Sequence, residues 1–206
     1  MNRCGWSEGN DLYNKYHDME WGVPVHDDQK FYEFLILEGA QAGLSWLTVL
    51  KKREAYREAF DGFDPHKVSS YSDEKMEDLL QNKGIIRNRL KVKSAVQNAK
   101  AFLSIQAEYG SFDQYIWSHV DGIPVVGQWN TLAEVPATTK LSDQISKELK
   151  KRGFHFAGPT IIYSFLQATG IVMDHLTSCF RYEELKMGRF GTGTSGVGPI
   201  VCFASI

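Results

Sequence analysis

Residues 149–161 read LKKRGFHFAGPTI, and this stretch decides the predicted fold. It joins two segments in which apolar residues recur at helical spacing, and Gly153 and Gly158 bound the short apolar turn between them. Pro159 lies where a proline favours the first turn of a helix. A hairpin of this kind exposes backbone N–H groups beside a helix N-terminus, where phosphate groups bind. The pattern favours a helix-hairpin-helix element that would contact DNA phosphates, and a plain corner between two helices is the alternative.

Helical signals dominate the chain on both sides of this element. Side chains that can cap a helix N-terminus, among them Asp27, Ser45 and Ser72, precede apolar residues at helical spacing. We expect helices from 28 to about 42, from 45 to near 62, from 65, from 73 to near 84, and over 87–107, 112–120, 142–152, 159–169 and 175–182. Residues 121–140 predict an irregular connection, and no stretch alternates as a strand would. The predicted fold class is all-α, in two helical lobes.

The length of 206 residues is enough for one such domain, which we place at residues 1–185. The remaining residues, 186–206, are rich in glycine and carry no periodicity. We expect them to form a flexible tail that contributes nothing to function.

The net charge of −2 argues against a protein that coats nucleic acid by bulk charge, although a local basic surface suffices to bind DNA. Residues 79–107 contain no acidic residue. The basic residues of that stretch are Lys83, Arg87, Arg89, Lys91, Lys93 and Lys100, and a second basic run holds Lys147, Lys150, Lys151 and Arg152. Both runs are candidates for a phosphate-facing surface, and two solvated helix faces are the alternative.

The N-terminus lacks the apolar core of a signal peptide, and no apolar run reaches the length of about 18 residues that a membrane span needs. The chain has three widely separated cysteines, an odd number that does not suit a disulfide framework. We therefore expect a cytoplasmic protein with no membrane partner.

Two pairs of metal-ligating residues lie near the two ends of the chain. His175 and Cys179 are four residues apart and would share one face of a helix, while Cys4 and His17 could supply two further ligands. A Cys₂His₂ set is typical of a closed structural zinc site, which here would tie the N-terminal segment to the C-terminal helix. The alternative is a pair of free thiols with ordinary histidines. Other possible members of the set are Cys202 and His26.

A carboxylate interrupts an apolar helix face. Glu38 continues the face of Phe31 and Phe34, where a charge is costly unless it is paired or used. An ion pair or a hydrogen bond to the backbone is one explanation, and a ligand pocket is the other. The aromatic residues around it in sequence are Trp6, Tyr13, Tyr16, Trp21 and Trp46. Several rings around one carboxylate would suit a flat, positively charged ring, through stacking and cation–π attraction.

Taken together, these stretches resemble the TAG-type family of bacterial 3-methyladenine DNA glycosylases, within the helix-hairpin-helix glycosylase superfamily. The resemblance runs from Arg3 to about Tyr182. The matching stretches are RCGW at 3–6, YHDMEWGVP at 16–24, LEGAQAGLSWLTVLKKRE at 37–54, GIIRNR at 84–89, KKRGFHFAGPTIIYSFLQATG at 150–170 and MDH at 173–175.

The resemblance implies an enzyme of base excision repair that hydrolyses the N-glycosidic bond of 3-methyladenine in double-stranded DNA. It implies Glu38 and Tyr16 as catalytic residues, with Leu44 as a wedge in the gap left by the extruded nucleotide. The remaining implied residues are Trp46, Trp6, Tyr13 and Trp21 for the base, Lys151, Arg152, Gly153, Gly158 and Thr160 for DNA, and Cys4, His17, His175 and Cys179 for one structural Zn²⁺. We expect a monomer that releases free 3-methyladenine.

Two further expectations concern catalysis. Asp174 lies where many superfamily members carry a catalytic aspartate, but the TAG-type family is thought to lack that role, so we expect Asp174 to be structural. No lysine closely follows Gly158, so we expect a monofunctional glycosylase without a strand-cleaving lyase step. The alternatives are a glycosylase for other alkylated or deaminated bases, and a non-catalytic zinc-stapled module that binds damaged DNA.

Overall fold

Helices make up most of the computed structural model, which describes residues 1–188. The α-helices are Asp11–Met19 (α1), Asp28–Gln41 (α2), Trp46–Leu50 (α3), Arg53–Ala59 (α4), Pro65–Ser69 (α5), Asp73–Gln81 (α6), Arg89–Tyr109 (α7), Phe112–Trp117 (α8), Lys140–Lys151 (α9), Pro159–Ala168 (α10) and Phe180–Lys186 (α11). Short 3₁₀ turns cover Gly5–Ser7, Asp61–Phe63, Ser118–Val120 and Leu132–Glu134. The mostly helical fold class predicted from sequence is confirmed. None of the helices in the described range is both long and apolar enough to cross a membrane.

The predicted N-caps of several helices are confirmed. Asp27 accepts a hydrogen bond from Lys30 N at 2.7 Å, and Ser45 accepts one from Thr48 N at 3.3 Å. Ser72 caps α6 in the same way. Each of these side chains binds an N–H group that lacks a partner within its own helix, which fixes where that helix begins.

The sequence analysis was wrong about the helix expected from 45 to near 62. The structure divides it into α3 and α4, because Lys52 leaves helical geometry at φ −101° and ψ 1°. There the backbone closes a tighter bond, from Lys52 N to Val49 O at 2.9 Å. The division gives α4 its own direction, with Arg53 as its first residue.

The helix expected over 175–182 is also shorter than predicted. It begins only at Phe180, with Cys179 as its N-cap, so His175 and Cys179 do not share a helix face. The preceding turn is held by other contacts, including a bond from Phe180 N to Asn2 O at 3.0 Å. Contact with the N-terminal segment replaces the intrahelical bonds that the spacing had suggested.

A two-residue parallel strand pair was not foreseen. Val125–Val126 (β1) pairs with Val172–Met173 (β2), in the register Val125 to Val172. The strands are too short to give an alternating pattern in the sequence. They fasten the connection over residues 121–140, predicted as irregular, to the chain just before Asp174.

The core is built around α2, in which ten consecutive residues, Phe31–Ala40, are buried. This helix packs against α3, α7, α8 and α10. Its C-terminal carbonyls receive Lys91 from α7, whose Nζ donates to Ala40 O and to Ala42 O, at 2.7 Å each. Lys91, predicted as part of a DNA-facing surface, therefore stabilises the end of α2 instead. Arg89 of the same basic stretch pairs with Glu77.

Two buried acids on α2 have opposite surroundings. Glu33 accepts from Arg53 Nε at 2.6 Å and from Arg57 at 2.9 Å, and Lys30 Nζ lies 3.2 Å away. Glu38 is as deeply buried, at 4 % exposure, yet within residues 1–188 it has no hydrogen bond or ion pair. A buried charge is costly unless it is paired. Glu33 therefore has the ion pairs of a structural residue, whereas Glu38 lacks them among the described residues.

The predicted boundary of the tail falls in the last turn of α11. The predicted flexible tail over 186–206 lies, from residue 189 onward, outside the residues that the structure describes, as does Cys202.

Replacing Glu33 by glutamine is expected to lower the free energy of unfolding by about 2 kcal/mol, because the buried hydrogen bonds of Arg53 and Arg57 to a charged carboxylate weaken, while Arg53 keeps Glu20 and Arg57 keeps Glu54 as partners. Glu38→Gln is the matched control, since it makes the same change on the same helix at a site without a cation, and we expect it to cost no stability. Urea unfolding followed by circular dichroism measures both variants. An equal or larger loss for Glu38→Gln would contradict this account of α2.

Candidate active site and metal cluster

A cavity of about 330 Å³ opens beside the C-terminal half of α2. It is lined by Trp6, Tyr13, Tyr16, Trp21, Glu38, Gln41, Trp46, Leu132, Val135, Ser164, Gln167 and Asp174. All five aromatic residues that the sequence analysis grouped with Glu38 line this cavity. Gln41, Leu132, Val135, Ser164 and Gln167 were not predicted from the sequence. Gln41 follows Glu38 by three residues on α2, so helical spacing could have indicated it, whereas no spacing relates Leu132, Val135 or the residues of α10 to Glu38.

The aromatic rings that line the cavity contact one another in edge-to-face and tilted arrangements. Trp6 meets Tyr13 and Trp21 edge-to-face, with ring centroids 5.0 Å apart in both pairs. Tyr16 and Trp46 lie 5.4 Å apart at 50°. Tilted contacts of this kind are favourable between aromatic rings, and they fix ring orientation before any ligand enters. The Nε1 of Trp46 is buried and has no hydrogen-bond acceptor within the described residues.

Glu38 is the one acidic residue in this cavity whose side chain has no hydrogen-bond donor within residues 1–188. Burial raises its pKa to about 8 from an ordinary value of 4.5. Burial, and then the nearby Glu38 charge, also raises the pKa of Tyr13 and of Tyr16. The cavity therefore holds an unpaired carboxyl close to two phenols that stay protonated, and a positively charged ligand would supply the missing counter-charge.

A second cavity, of about 260 Å³, adjoins the first. Its lining consists of Glu38, Gln41, Ala42, Gly43, Leu44, Thr160, Ile161 and Ser164. Glu38, Gln41 and Ser164 face both cavities. Leu44, the predicted wedge, is 41 % exposed on the turn between α2 and α3. The second cavity thus joins Glu38 to the exposed wedge and to the start of α10.

The predicted hairpin lies between α9 and α10 and is fastened to the core by side chains. Asn98 of α7 donates to His155 O at 2.9 Å and accepts from His155 N at 2.8 Å. Ser146 donates to Ala157 O at 2.6 Å. Phe156 of the hairpin lies next to Gly39 of α2, where an added Cβ would be in ordinary van der Waals contact, 3.4 Å from the Cβ of Phe156. The hairpin therefore rests on α2 directly beside Glu38.

The hairpin residues predicted to contact DNA differ in exposure and in whether they already bind another side chain. Lys151 and Thr160 are exposed, and no side chain caps the N-terminus of α10 at Gly158. Arg152 already binds Glu108, at 2.6 Å and 3.0 Å, and the hydroxyl of Tyr109 at 2.9 Å. The sequence could not reveal that pairing, because Arg152 and Glu108 lie 44 residues apart.

The four predicted metal ligands converge. The ligand atoms of Cys4, His17, His175 and Cys179 all lie within 4.8 Å of one another, and all four side chains are buried. Cys179 Sγ lies 3.5 Å from His17 Nε2 and from His175 Nδ1, and Cys4 Sγ lies 3.6 Å from His175 Nδ1. Tetrahedral zinc with sulfur and nitrogen ligands would separate its ligand atoms by roughly 3.3–3.8 Å. The residues present therefore fit such an ion.

The outer nitrogens of the two histidines are also held. His17 Nδ1 lies 2.8 Å from Asp18 Oδ1, and His175 Nε2 lies 2.9 Å from Trp21 O. Such contacts orient imidazole ligands toward a metal. Hydrogen bonds from Cys4, and then from His17 and His175, lower the pKa of the Cys179 thiol and so favour a thiolate, which is the form that binds metals.

The cluster is continuous with the aromatic cavity. The Trp6 ring lies 5.3 Å from the ring of His17, and the Trp21 ring lies 4.6 Å from the ring of His175. Two of the five cavity rings therefore pack on the ligand set itself. Asp174, adjacent to His175, accepts hydrogen bonds from three side chains.

Known proteins similar to this chain match it over nearly all of the described residues. A family model described as methyladenine glycosylase matches residues 6–182. DNA-3-methyladenine glycosylase 1 of Escherichia coli K12 is 51% identical over 186 residues, which are 90% of this chain and 100% of that protein. DNA-3-methyladenine glycosylase of Haemophilus influenzae Rd is 48% identical over 177 residues, covering 86% of this chain and 96% of that one.

Solved structures of similar proteins have the same fold as this chain. A crystal structure of 3-methyladenine DNA glycosylase I superposes with a TM-score of 0.85 at 51% identity, covering 87% of this chain and 98% of that one. A structure of the Staphylococcus aureus enzyme, described as giving the basis of its 3-methyladenine recognition, has a TM-score of 0.85 at 38% identity, with 88% and 97% covered. The chain therefore belongs to the methyladenine glycosylase family.

Proposed function

We propose that this chain hydrolyses the N-glycosidic bond of 3-methyladenine in alkylated DNA, releasing the free base and leaving an abasic site. The observation that carries the proposal is Glu38, a buried carboxyl whose side chain has no hydrogen-bond partner among residues 1–188, in a cavity lined by five aromatic residues. The E. coli and H. influenzae relatives are named for acting on 3-methyladenine, and the chain is about half identical to each. The protein is then an enzyme of base excision repair.

Charge distinguishes the damaged base from normal adenine. Methylation at N3 makes the purine ring of the nucleotide positive, so the ring gains cation–π attraction from the cavity walls and a counter-charge in Glu38. Neutral adenine gains neither contribution. In this account Trp46, Trp6, Tyr13 and Trp21 hold the extruded base, and Tyr16 assists Glu38.

The same charge makes the base a good leaving group. As the bond from C1′ to N9 breaks, its electron pair neutralises the ring, and the sugar becomes positively charged. Water then adds to C1′ and loses a proton. The ionised Glu38 faces both cavities, so it can stabilise positive charge first on the base and then on the sugar. No strong general acid is required.

The lining of both cavities favours a monofunctional glycosylase. Neither lining contains a lysine, so no amine is positioned to form a Schiff base with the opened sugar. The abasic site would therefore leave the enzyme with its strand intact.

The DNA duplex would be held on the face that carries the hairpin, which we assign as a helix-hairpin-helix element. The uncapped start of α10 and the exposed Lys151 support phosphate binding there, together with Gly153, Gly158 and Thr160. Arg152 would join only by exchanging Glu108 for phosphate. Leu44 is the one exposed apolar side chain in the lining of the second cavity, which suits a wedge that fills the gap behind an extruded nucleotide.

Cys4, His17, His175 and Cys179 would hold one structural Zn²⁺ per chain. Four protein ligands leave no open position on a tetrahedral ion, so the metal supplies no chemistry to the reaction. The ligands join the N-terminal segment to the turn before α11, and Trp6 and Trp21 pack on the two histidines. We further propose that the enzyme acts as a monomer in the cytoplasm, where reducing conditions keep Cys4 and Cys179 as metal-binding thiols.

The first prediction concerns Glu38. Glu38→Gln is expected to slow single-turnover release of 3-methyladenine roughly ten- to a hundredfold, because one electrostatic group near the reacting bond is lost. Mass spectrometry of bases released from methylated DNA measures the rate. Glu58→Gln, an exposed acid on α4, is the matched control and should match the wild type. A wild-type rate in Glu38→Gln would remove the basis of the pocket assignment.

The second prediction concerns pH. Because the raised pKa of Glu38 leaves it largely protonated at neutral pH, kcat/KM on methylated DNA should rise as pH approaches about 8 and level off above it. The profile of Glu38→Gln should be flat over the same range. Stability should run the other way: the folded chain keeps a proton that the unfolded chain loses, so the free energy of unfolding falls as pH rises from 4.5 to about 8. A wild-type kcat/KM that falls with rising pH would contradict this assignment.

The third prediction concerns the metal. Purified protein should contain one zinc per chain, and its removal with a chelator should lower the melting temperature and change tryptophan fluorescence, since Trp6 and Trp21 pack on the ligands. Cys179→Ser should lose the zinc, whereas Cys202→Ser should retain it. Full zinc content in Cys179→Ser would refute the ligand set.

A further inference from the structure

Asp174 is one of the most heavily hydrogen-bonded side chains near the base cavity. Its Oδ1 accepts from Trp129 Nε1 at 2.7 Å, and its Oδ2 accepts from Gln167 Nε2 at 2.8 Å and from the hydroxyl of Tyr163. It is 3 % exposed and takes part in no ion pair within residues 1–188. Three donors converge on one carboxylate, so Asp174 joins α10 to the segment that contains Trp129.

The backbone on either side of Trp129 is fastened to the same region. Gly127 N donates to Met173 O at 2.9 Å, continuing the pairing of β1 with β2. Thr177 N donates to Trp129 O at 2.9 Å. The chain next to Asp174 therefore holds residues 127–129 through two backbone bonds and one side-chain bond.

Gly127 gives independent evidence that the bond between Trp129 and Asp174 constrains the fold. A Cβ at residue 127 would lie 2.3 Å from Asp174 Oδ1 and 2.3 Å from Trp129 Nε1, a separation at which atoms overlap. Only a residue without a side chain leaves room for this hydrogen bond.

The fastened segment continues directly into the base cavity. Leu132 and Val135 line that cavity, together with Gln167 and Asp174 itself. Leu132 is 44 % exposed and the chain from Thr131 to Glu134 is on the surface, so burial does little to hold this part of the wall in place. Val135 packs against the core at one end, and the hydrogen bond of the part-buried Trp129 to Asp174 attaches the other end, three residues before Leu132.

We propose that Asp174 is a positioning residue whose carboxylate fastens residues 127–135 across the base cavity, so that Leu132 and Val135 form the wall that closes on the extruded base. The proposal rests on the function proposed above. It assigns to Asp174 a role in base affinity, carried through Trp129, and no role in the bond-breaking step.

The alternative is that the Asp174 charge acts directly on the reacting sugar. The two roles predict different kinetics. A charge that stabilises the transition state lowers the single-turnover rate when it is removed, and leaves the affinity for free base unchanged. A positioning role weakens base affinity, and it is disturbed equally by changes to Trp129 that leave the Asp174 charge in place.

Trp129→Phe is the decisive variant, because it removes the Nε1–H donor while keeping an aromatic ring and the Asp174 carboxylate. We expect affinity for free 3-methyladenine to fall roughly three- to tenfold, as for the loss of one hydrogen bond of typical net strength, with KM for methylated DNA rising similarly. The single-turnover rate at saturating enzyme should change by less than about twofold. Trp117→Phe is the matched control, since it removes an indole donor that binds Val25 O, remote from the cavity lining.

Asp174→Asn and Gly127→Ala complete the experiment. Both variants should weaken base affinity about as much as Trp129→Phe does. The double variant, Trp129→Phe with Asp174→Asn, should bind the base no more weakly than the weaker-binding of its two single variants, because both changes remove the same hydrogen bond. Thermal midpoints check that each variant folds, and if Asp174→Asn does not, Trp129→Phe and Gly127→Ala still test the proposal.

Unchanged base affinity in Trp129→Phe and Gly127→Ala would overturn the inference. So would a large loss of single-turnover rate in Asp174→Asn at wild-type affinity, which would make Asp174 catalytic. Failure of the wild-type protein itself to release 3-methyladenine would instead refute the proposed function, so the two failures are distinguishable.

Discussion

The structure depends on one buried carboxyl that has no cation or hydrogen-bond donor beside it among residues 1–188. Helix α2 is buried along ten residues and carries two acids in that stretch. Glu33 is neutralised by Arg53, Arg57 and Lys30, as a buried carboxylate must be if it is to stabilise the fold. Within residues 1–188 Glu38 receives no such partner, and burial raises its pKa to about 8, so the carboxyl is mostly protonated at neutral pH. When Glu38 ionises, its counter-charge is left to a ligand, and a positively charged purine can supply it.

Separate contacts hold each of the elements that surround Glu38. Lys91 binds the carbonyls at the end of α2, so the helix stops at the turn that exposes Leu44. Asn98 and Ser146 fasten the hairpin, and Phe156 contacts α2 at Gly39. Trp6 and Trp21 rest on the two histidines of the metal cluster. The carboxyl of Glu38 thereby lies near the hairpin, the exposed Leu44 and the aromatic cavity, which under the proposed function would serve the DNA phosphates, the gap in the duplex and the extruded base.

Much of this arrangement could be read in advance. Caps and apolar periodicity gave the helices, and glycine and proline marked the hairpin, because these signals act over a few residues. The four candidate metal ligands and the five rings around Glu38 were also singled out from the sequence, since their residue types are chemically distinctive. The contacts that were missed all span long separations: Lys91 with the end of α2, Arg152 with Glu108, and Trp129 with Asp174. Lys91 and Arg152 were candidates for a phosphate-facing surface when only the sequence was known.

The sequence by itself therefore determined the helical class, the kind of chemistry and the residue types that perform it. Only the tertiary structure decided which charges remain available. In the three contacts named above, the partner of the side chain lies 44 to 51 positions away, and local spacing carries no information about it. His175 and Cys179 illustrate the same limit, because they reach one cluster from a turn held by the N-terminal segment and not from the shared helix face that their spacing suggested.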